Sequence, residues 1–177
     1  MNNQLFTLYK QLNGAEGLSR LTIIQEFISM PAFLGDNKEL EFLTESERLA
    51  IEIGSQNDKA MAQYQLGRYY LRMGSFETAV GNLNQAAISY SNAGDIHGAI
   101  DCEVALSEID FKRSFNTGAI EKAENVLQLA KDNSYQAGMG SAWYILGWVY
   151  SAQGNYTEAL RLYSLAMSAY EKAVAGQ

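Results

Sequence analysis

Residues 143–166 read WYILGWVYSAQGNYTEALRLYSLA, and this stretch decides the fold because its pattern occurs twice in the chain. Eight of its positions have similar residues 80 positions earlier: Leu146 and Leu66, Gly147 and Gly67, Tyr150 and Tyr70, Gly154 and Gly74, Tyr156 and Phe76, Ala159 and Ala79, Tyr163 and Leu83, Ala166 and Ala86. Agreement at one fixed offset indicates an internal repeat, in which each copy folds as a unit and packs on the next.

A weaker third copy lies between these two. In that copy, Leu106 and Ser107 follow Leu66 and Gly67 by 40 residues. The second half of the middle copy matches at an offset of 44 instead, through Gly118, Ile120, Ala123, Leu127 and Ala130. The change of offset predicts a four-residue insertion between the two helices of the middle unit.

The composition favours helices throughout. The chain of 177 residues has one proline, Pro31, and its 15 glycines separate segments in which apolar residues recur at helical spacing. Leu21, Ile24 and Phe27 belong to one such stripe. No run shows the strict alternation of apolar and polar residues that is typical of a β-strand. The sequence therefore predicts an all-α protein.

The repeated unit resembles the tetratricopeptide repeat, a helix-turn-helix unit with an aromatic residue, Leu-Gly and Tyr on its first helix and Ala, an aromatic residue and Ala on its second. The resemblance covers about residues 60–175 and is most complete in the third unit, from Trp143 onward. It departs from the family pattern at Gln63, Ser107 and Asp110, and its period is 40 residues rather than about 34. The resemblance implies a right-handed α-solenoid of stacked antiparallel helix pairs, with about nine helices.

The predicted organisation is one continuous domain. Residues 1–57 are expected to form a cap helix and a degenerate helix pair, and residues 58–177 three repeats at about 60–95, 100–135 and 140–175. We expect a cap because the open end of a solenoid otherwise exposes an apolar face.

Single cysteine and histidine residues limit the chemistry of the chain. One cysteine cannot form an internal disulfide, and with one histidine it cannot make a structural zinc site of four Cys and His ligands. His97 has no positioned nucleophile beside it, since Cys102 is expected on the packed side of a helix. The sequence thus predicts no catalytic residue, no metal, no cofactor and no enzyme activity.

Charge and hydropathy also restrict the partners. A net charge of −7 disfavours nucleic acid, whose phosphates require clustered Lys and Arg. No apolar run approaches the roughly 20 residues that cross a bilayer, and Met1 to Lys10 lacks the features of a secretory signal. We therefore expect a cytoplasmic protein that binds neither nucleic acid nor a membrane.

The resemblance implies that the first helix of each unit lines a concave face, where peptides usually bind. Carried over by position, the partner-binding residues are Tyr64, Arg68, Arg72, Glu108, Lys112, Tyr144, Trp148 and Ser151. Arg68 and Arg72 share one helical face because they are four residues apart. With Lys112 and Arg113 they form the densest basic group of the chain, which favours an acidic segment or a peptide carboxylate as the ligand.

The basic group has a second interpretation as surface ion pairs with Glu103, Glu108 or Asp110. The last predicted helix, Tyr156 to Val174, is apolar at 12 of its 19 positions, which predicts a cover such as a second copy in a homodimer. The leading hypothesis is a protein–protein interaction module that binds a peptide or protein on its concave face. The alternative is the N-terminal regulatory or oligomerising module of a longer signalling protein, whose output domain follows Gln177.

Overall fold

The computed structural model describes residues 3–30 and 38–176, and the regular structure of these two segments is entirely helical. The helices are α1 (Asn3–Leu12), α2 (Gly17–Ser29), α3 (Glu39–Ile53), α4 (Gln56–Arg72), α5 (Phe76–Ala93), α6 (Ile96–Lys112), α7 (Asn116–Asp132), α8 (Gln136–Ala152) and α9 (Tyr156–Ala175). Each helix packs on the next, and α6 also contacts both α4 and α8. These stacked helix pairs confirm the predicted all-α solenoid. Pro31, the single proline of the sequence, lies outside the described residues.

Local sequence signals set the ends of the helices. The side chains of Ser55, Asp95 and Asn155 each accept a hydrogen bond from the backbone amide three residues later. These caps satisfy amides that have no partner within the helix. Gly54 and Gly94 end α3 and α5 in the left-handed conformation that glycine adopts at no steric cost. Caps at 55 and 95 thus mark the start of two successive units.

The helices α1 to α3 share a core with the first repeat. Leu21, Ile24 and Phe27 are buried in one apolar cluster that also contains Leu66 of α4. The Phe27 ring lies edge-on to the Phe42 ring of α3, with 5.2 Å between the ring centroids. This shared burial supports the proposal that residues 1–57 continue into the repeats as one domain.

The three repeats have one constant period. The first helices begin at residues 56, 96 and 136, and each unit has a three-residue turn before its second helix. The four-residue insertion predicted for the middle unit is therefore wrong. Ser114 occupies the position of Gly74 and Gly154 and has the same left-handed backbone, with a φ of 62°. Gly118, which suggested the insertion, leaves room for the Phe115 ring at the start of α7.

Replacing Ser114 with glycine should stabilise the protein by about 0.5–1 kcal/mol. A left-handed conformation costs a residue with a Cβ roughly 1–2 kcal/mol, and the flexibility of glycine in the unfolded chain offsets part of the gain. The reciprocal variant Gly74→Ser should lose a similar amount. Urea unfolding followed by circular dichroism measures both changes, and a lower midpoint for Ser114→Gly would contradict this account.

The two helices of each repeat approach closely at one position of the first helix. The residues at this position and their neighbours on the second helix are Gly67 with Leu83, Ser107 with Ala123, and Gly147 with Tyr163. A Cβ added to Gly67 would lie 2.6 Å from a Leu83 carbon, and one added to Gly147 would lie 2.4 Å from the Tyr163 ring. The repeat thus tolerates Ser107 because its neighbour is the smallest of the three.

Candidate functional site

The first helices of the repeats, α4, α6 and α8, form one wall that contains a cleft of about 310 Å³. Its lining residues are Tyr64, Arg68, Asp101, Val104, Glu108, Ser141, Tyr144, Ile145, Trp148 and Tyr170. This volume lies at the lower end of the range for ligand sites. The cleft therefore fits a few side chains of an extended segment rather than a folded domain.

The repeat explains why these residues meet. Most of them occupy three rows of equivalent positions, 40 residues apart: Arg68, Glu108 and Trp148; Tyr64, Val104 and Tyr144; Asp101 and Ser141. Because the first helices stack side by side, equivalent positions on successive helices are neighbours. Each row therefore runs across the cleft from one repeat to the next.

Five of the eight residues predicted from the sequence line this cleft: Tyr64, Arg68, Glu108, Tyr144 and Trp148. The other three lie outside the lining. Arg72 pairs with Glu39 of α3, which is only 2% exposed. Lys112 is exposed at the end of α6, and Ser151 interacts with Tyr163 of α9. The structure thus brings together the central residues of the predicted site and separates its outer ones.

The basic side chains predicted for this face each lie near a carboxylate. Arg68 Nη1 donates to Glu108 Oε2 at 2.7 Å along one row, and Lys112 Nζ lies 3.7 Å from the other Glu108 oxygen. Arg113 lies 3.3 Å from Glu77 of α5. These contacts match the ion-pair interpretation for Glu108. An acidic ligand would have to separate Arg68 from that carboxylate.

Asp101 is a lining residue whose surroundings disfavour its charge. Burial raises the pKa of its carboxyl group, although the hydrogen bond from the Tyr135 hydroxyl acts in the opposite direction. That hydroxyl is 3.0 Å from both carboxylate oxygens. The His97 ring stacks on the Tyr135 ring with 4.2 Å between the centroids. A carboxyl group beside a cleft whose pKa is raised by burial is typical of a functional site.

Aromatic rings form the apolar part of the cleft. Trp148 stacks on Phe111 with 5.6 Å between the ring centroids and lies 4.8 Å from Tyr144, which in turn lies 5.5 Å from Tyr163. Tyr64 lies on α4, where burial raises the pKa of its hydroxyl to about 12. Its hydroxyl therefore stays neutral at physiological pH, and the rings offer a fixed apolar surface with polar edges.

Tyr170 reaches the cleft from α9, and sequence reasoning missed it. Its hydroxyl lies 3.0 Å from Ser141 Oγ, and its ring occupies the space left free by Gly140. Gly140 precedes Gly147 by seven residues, and Tyr170 follows Tyr163 by seven. Seven residues are two helical turns, so the second pair repeats the first along two antiparallel helices. That spacing is the signal that identifies Tyr170 in the sequence.

Three other features could indicate a function: a metal site, a membrane-spanning helix and a reactive thiol. Within residues 3–30 and 38–176, no group of three His, Cys, Asp or Glu side chains is placed to hold a metal ion. Searching the same segments finds no helix with the length and apolar character of a membrane span. Cys102 is fully buried, and burial raises the pKa of its thiol to about 12. It is therefore a neutral packing residue at physiological pH.

Comparison with known proteins gives a match to one family model and similarity to several solved structures, including the two described next. Residues 140–173 match the family model for the tetratricopeptide repeat, whereas no curated protein matches the chain by sequence. The fold is similar to a Podosopora anserina putative kinesin light chain with nearly identical TPR-like repeats, at a TM-score of 0.64 and 17% identity, covering 96% of this chain and 84% of that chain. It is also similar to MamA, at a TM-score of 0.50 and 19% identity, covering 88% and 92%.

By its fold, the protein is a helical-repeat scaffold built from stacked helix pairs. Its third unit matches the tetratricopeptide-repeat model, and the fold along the chain is similar to that of a solved protein with TPR-like repeats. Repeats of this family generally mediate protein–protein interactions, and such scaffolds are generally not enzymes. The family therefore agrees with a protein or peptide as the partner.

Proposed function

We propose that the cleft binds an extended segment of a partner protein, one that presents an apolar or aromatic side chain beside a basic one. The rings of Tyr144 and Trp148 supply the apolar contact. The carboxylates of Asp101 and Glu108 supply the negative charge. The observation that carries the proposal is the half-buried carboxylate of Asp101, which lies at the cleft and accepts a hydrogen bond from the Tyr135 hydroxyl.

The electrostatics of the lining favour a basic ligand. Burial penalises the ionised form of Asp101, and a ligand cation within about 4–6 Å would stabilise that form. The lining contains the carboxylates of Asp101 and Glu108 against the single guanidinium of Arg68. The net charge of −7 adds a long-range attraction for positively charged partners.

The acidic partner suggested by the sequence stays a prediction. It depends on Arg68, Arg72 and Lys112 facing the ligand together, but only Arg68 lines the cleft. An acidic segment would compete with Glu108 for Arg68, whereas a basic segment can pair with Asp101 without breaking an ion pair. The geometry thus supports a basic segment better than an acidic one.

A library of displayed random peptides, selected on the full chain, separates these ligands. Enrichment of Lys or Arg next to Trp, Phe or Leu is the expected result. Enrichment of Asp and Glu would instead favour the acidic partner and contradict the proposal. Peptides that bind equally well to cleft variants would show that the site lies elsewhere.

Asp101→Asn should weaken the selected peptides about tenfold, a change of roughly 1.4 kcal/mol. The amide can still accept the hydrogen bond from Tyr135 but no longer attracts a cation. Isothermal titration calorimetry measures the change. Glu124→Gln is the matched control, since it removes one exposed carboxylate of α7 outside the cleft lining. The proposal would be contradicted if the two variants lost affinity equally.

The same variant should be more stable than the parent protein at pH 7. The folded protein raises the pKa of Asp101, so the residue favours folding while protonated and loses that contribution as the pH rises. Asparagine carries no such penalty. We expect the advantage of Asp101→Asn in urea unfolding at pH 7 to disappear near pH 3, below the roughly 3.9 of an unfolded aspartate. A less stable variant at pH 7 would show that this carboxylate serves the fold.

The remaining hypotheses from the sequence concern other features. Cytoplasmic location and a place within a longer signalling protein stay predictions. Oligomerisation concerns the outer face of α9. Most residues of that face lie outside the cleft.

A further inference from the structure

The last helix, α9, leaves a regular row of apolar side chains uncovered. Leu160, Met167 and Val174 are 69%, 62% and 74% exposed. Together with three tyrosines they form a stripe with alternating spacings of four and three residues, which we call the α9 seam: Tyr156, Leu160, Tyr163, Met167, Tyr170 and Val174. A 4-3 spacing is the heptad pattern by which one helix packs along another.

In the other repeats, a helix covers this same stripe. The residues 40 positions before the seam include Ile120, Ala123, Leu127 and Ala130 of α7, which pack on α8. The residues 80 positions before it include Phe76, Val80, Leu83, Ala87 and Tyr90 of α5, which pack on α6. In the α9 seam, Tyr163 and Tyr170 pack on Gly147 and Gly140 of α8. No further helix of the described residues covers Leu160, Met167 and Val174, which lie where the other repeats bind their next helix.

The seam differs from its equivalents in size. Tyr163 and Tyr170 stand where α7 has Ala123 and Ala130, and α8 lies close to α7 because those residues are small. A helix on α9 has to lie further out, over bulky side chains that interdigitate with its own. That geometry is the knobs-into-holes packing of a coiled coil rather than the close contact inside the solenoid.

The order of residues in the seam suits a second copy of itself. About a centre at residue 165, each tyrosine position mirrors an aliphatic one: Tyr156 and Val174, Leu160 and Tyr170, Tyr163 and Met167. In an antiparallel pair of α9 helices, every tyrosine would therefore meet an aliphatic side chain of the other copy. In a parallel pair, tyrosine would meet tyrosine. We propose that the protein forms a homodimer through an antiparallel pairing of the two α9 seams.

The residues beside the seam agree with this pairing. On the inner flank, Ala159 and Ala166 are buried against the chain itself, so the second helix would contact the exposed side of the seam. On the outer flank, antiparallel pairing brings Glu171 of one copy towards Thr157 of the other, so the carboxylate does not meet its own equivalent.

The open space beside α9 is large enough for such a helix. A cleft of about 580 Å³ runs along the seam, bounded on the α8 side by Tyr144 and on the α9 side by Tyr163, Met167, Tyr170 and Val174. One pair of 20-residue helices buries less than the roughly 800 Å² per partner of a standard interface. We therefore expect a dimer with a dissociation constant of the order of micromolar.

Light scattering after size-exclusion chromatography, at roughly 1 to 200 µM protein, tests the association. The parent protein should change from monomer to dimer over this range, and Leu160→Glu/Met167→Glu should remain a monomer. The matched control is Ile88→Glu/Leu129→Glu, which places two carboxylates at exposed apolar positions of α5 and α7 and should still dimerise. A parent protein that stays monomeric, or a dimer that survives the seam variant, would overturn the proposal.

Disulfide cross-linking tests the antiparallel direction. Tyr156→Cys and Val174→Cys alter the most exposed ends of the seam, and the native Cys102 is buried. In an antiparallel pair, residues 156 of the two copies are about 27 Å apart along the helix axis, so neither variant should cross-link alone. Mixing the two variants should give a covalent dimer. Cross-linking of each variant alone, or none in the mixture, would exclude the antiparallel arrangement. Neither experiment depends on peptide binding.

Discussion

Gly67→Ser should lower the free energy of unfolding by about 2–3 kcal/mol, at the upper end of the usual cost of overpacking. A Cβ at this position would lie 2.6 and 2.8 Å from two side-chain carbons of Leu83 and 3.3 Å from its backbone nitrogen. Leu83 is fully buried and has no free space to enter. The two helices of the first repeat would therefore have to separate.

The residues of the middle repeat indicate which second substitution should restore stability to Gly67→Ser. This repeat combines Ser107 with Ala123 at the equivalent positions, and Ser107 is buried there with its hydroxyl donating to the Ala119 carbonyl at 2.8 Å. Leu83→Ala alone should cost about 3 kcal/mol as a cavity. The double variant Gly67→Ser/Leu83→Ala should cost less than the sum of the two by roughly 1–3 kcal/mol.

Urea unfolding of the four proteins measures this coupling. Gly81→Ser is the control for adding a hydroxymethyl group to a helical glycine, because a Cβ at Gly81 meets nothing within 4 Å. It should leave stability unchanged or slightly raised, since serine forms helices better than glycine. If the effects of Gly67→Ser and Leu83→Ala were additive, the sizes of these two facing residues would not determine how closely the helices approach.

The fold could be predicted because the contact between the two helices of each repeat restricts which residues occur at fixed positions of the sequence. Small residues are favoured where the two helices of a repeat approach most closely, so Gly67, Ser107 and Gly147 recur at a fixed offset. The turn glycines were less reliable. Ser114 adopts the same left-handed backbone as Gly74 although it is not glycine. In the sequence, Gly118 therefore aligns with Gly74, four residues beyond the true turn position. The false insertion arose because serine occupies the left-handed position of the middle turn, which left Gly118 as the nearest glycine to align with Gly74.

The site could be predicted in part for the same reason. Residues at equivalent positions of successive first helices are neighbours, so the 40-residue offset between Arg68 and Glu108 already implies their ion pair. The pairing of Arg72 with Glu39 has no such signal, because α3 lies outside the clear repeats. The basic residues that the sequence groups together therefore form ion pairs within the protein, Arg68 with Glu108 and Arg72 with Glu39.

Trp148→Ala should weaken the selected peptides by at least about 30-fold, near 2 kcal/mol, the largest binding effect expected in the cleft. Trp148 ends the row that begins with Arg68 and Glu108, and it has the largest side chain of the lining. Aromatic anchors beside charged groups carry much of the free energy of such interfaces. Calorimetry with the same peptides used for Asp101→Asn measures the loss.

Loss of binding must be separated from loss of structure, because Trp148 also stacks on Phe111. Trp148→Phe keeps a ring at the same place and should lose less than about tenfold in affinity, whereas Phe115→Ala removes an exposed ring from the turn before α7 and should lose none. If Trp148 touches the ligand directly, its effect should add to that of Asp101→Asn, giving a loss of roughly 300-fold in the double variant. A folded Trp148→Ala protein with unchanged affinity would place the ligand outside this cleft.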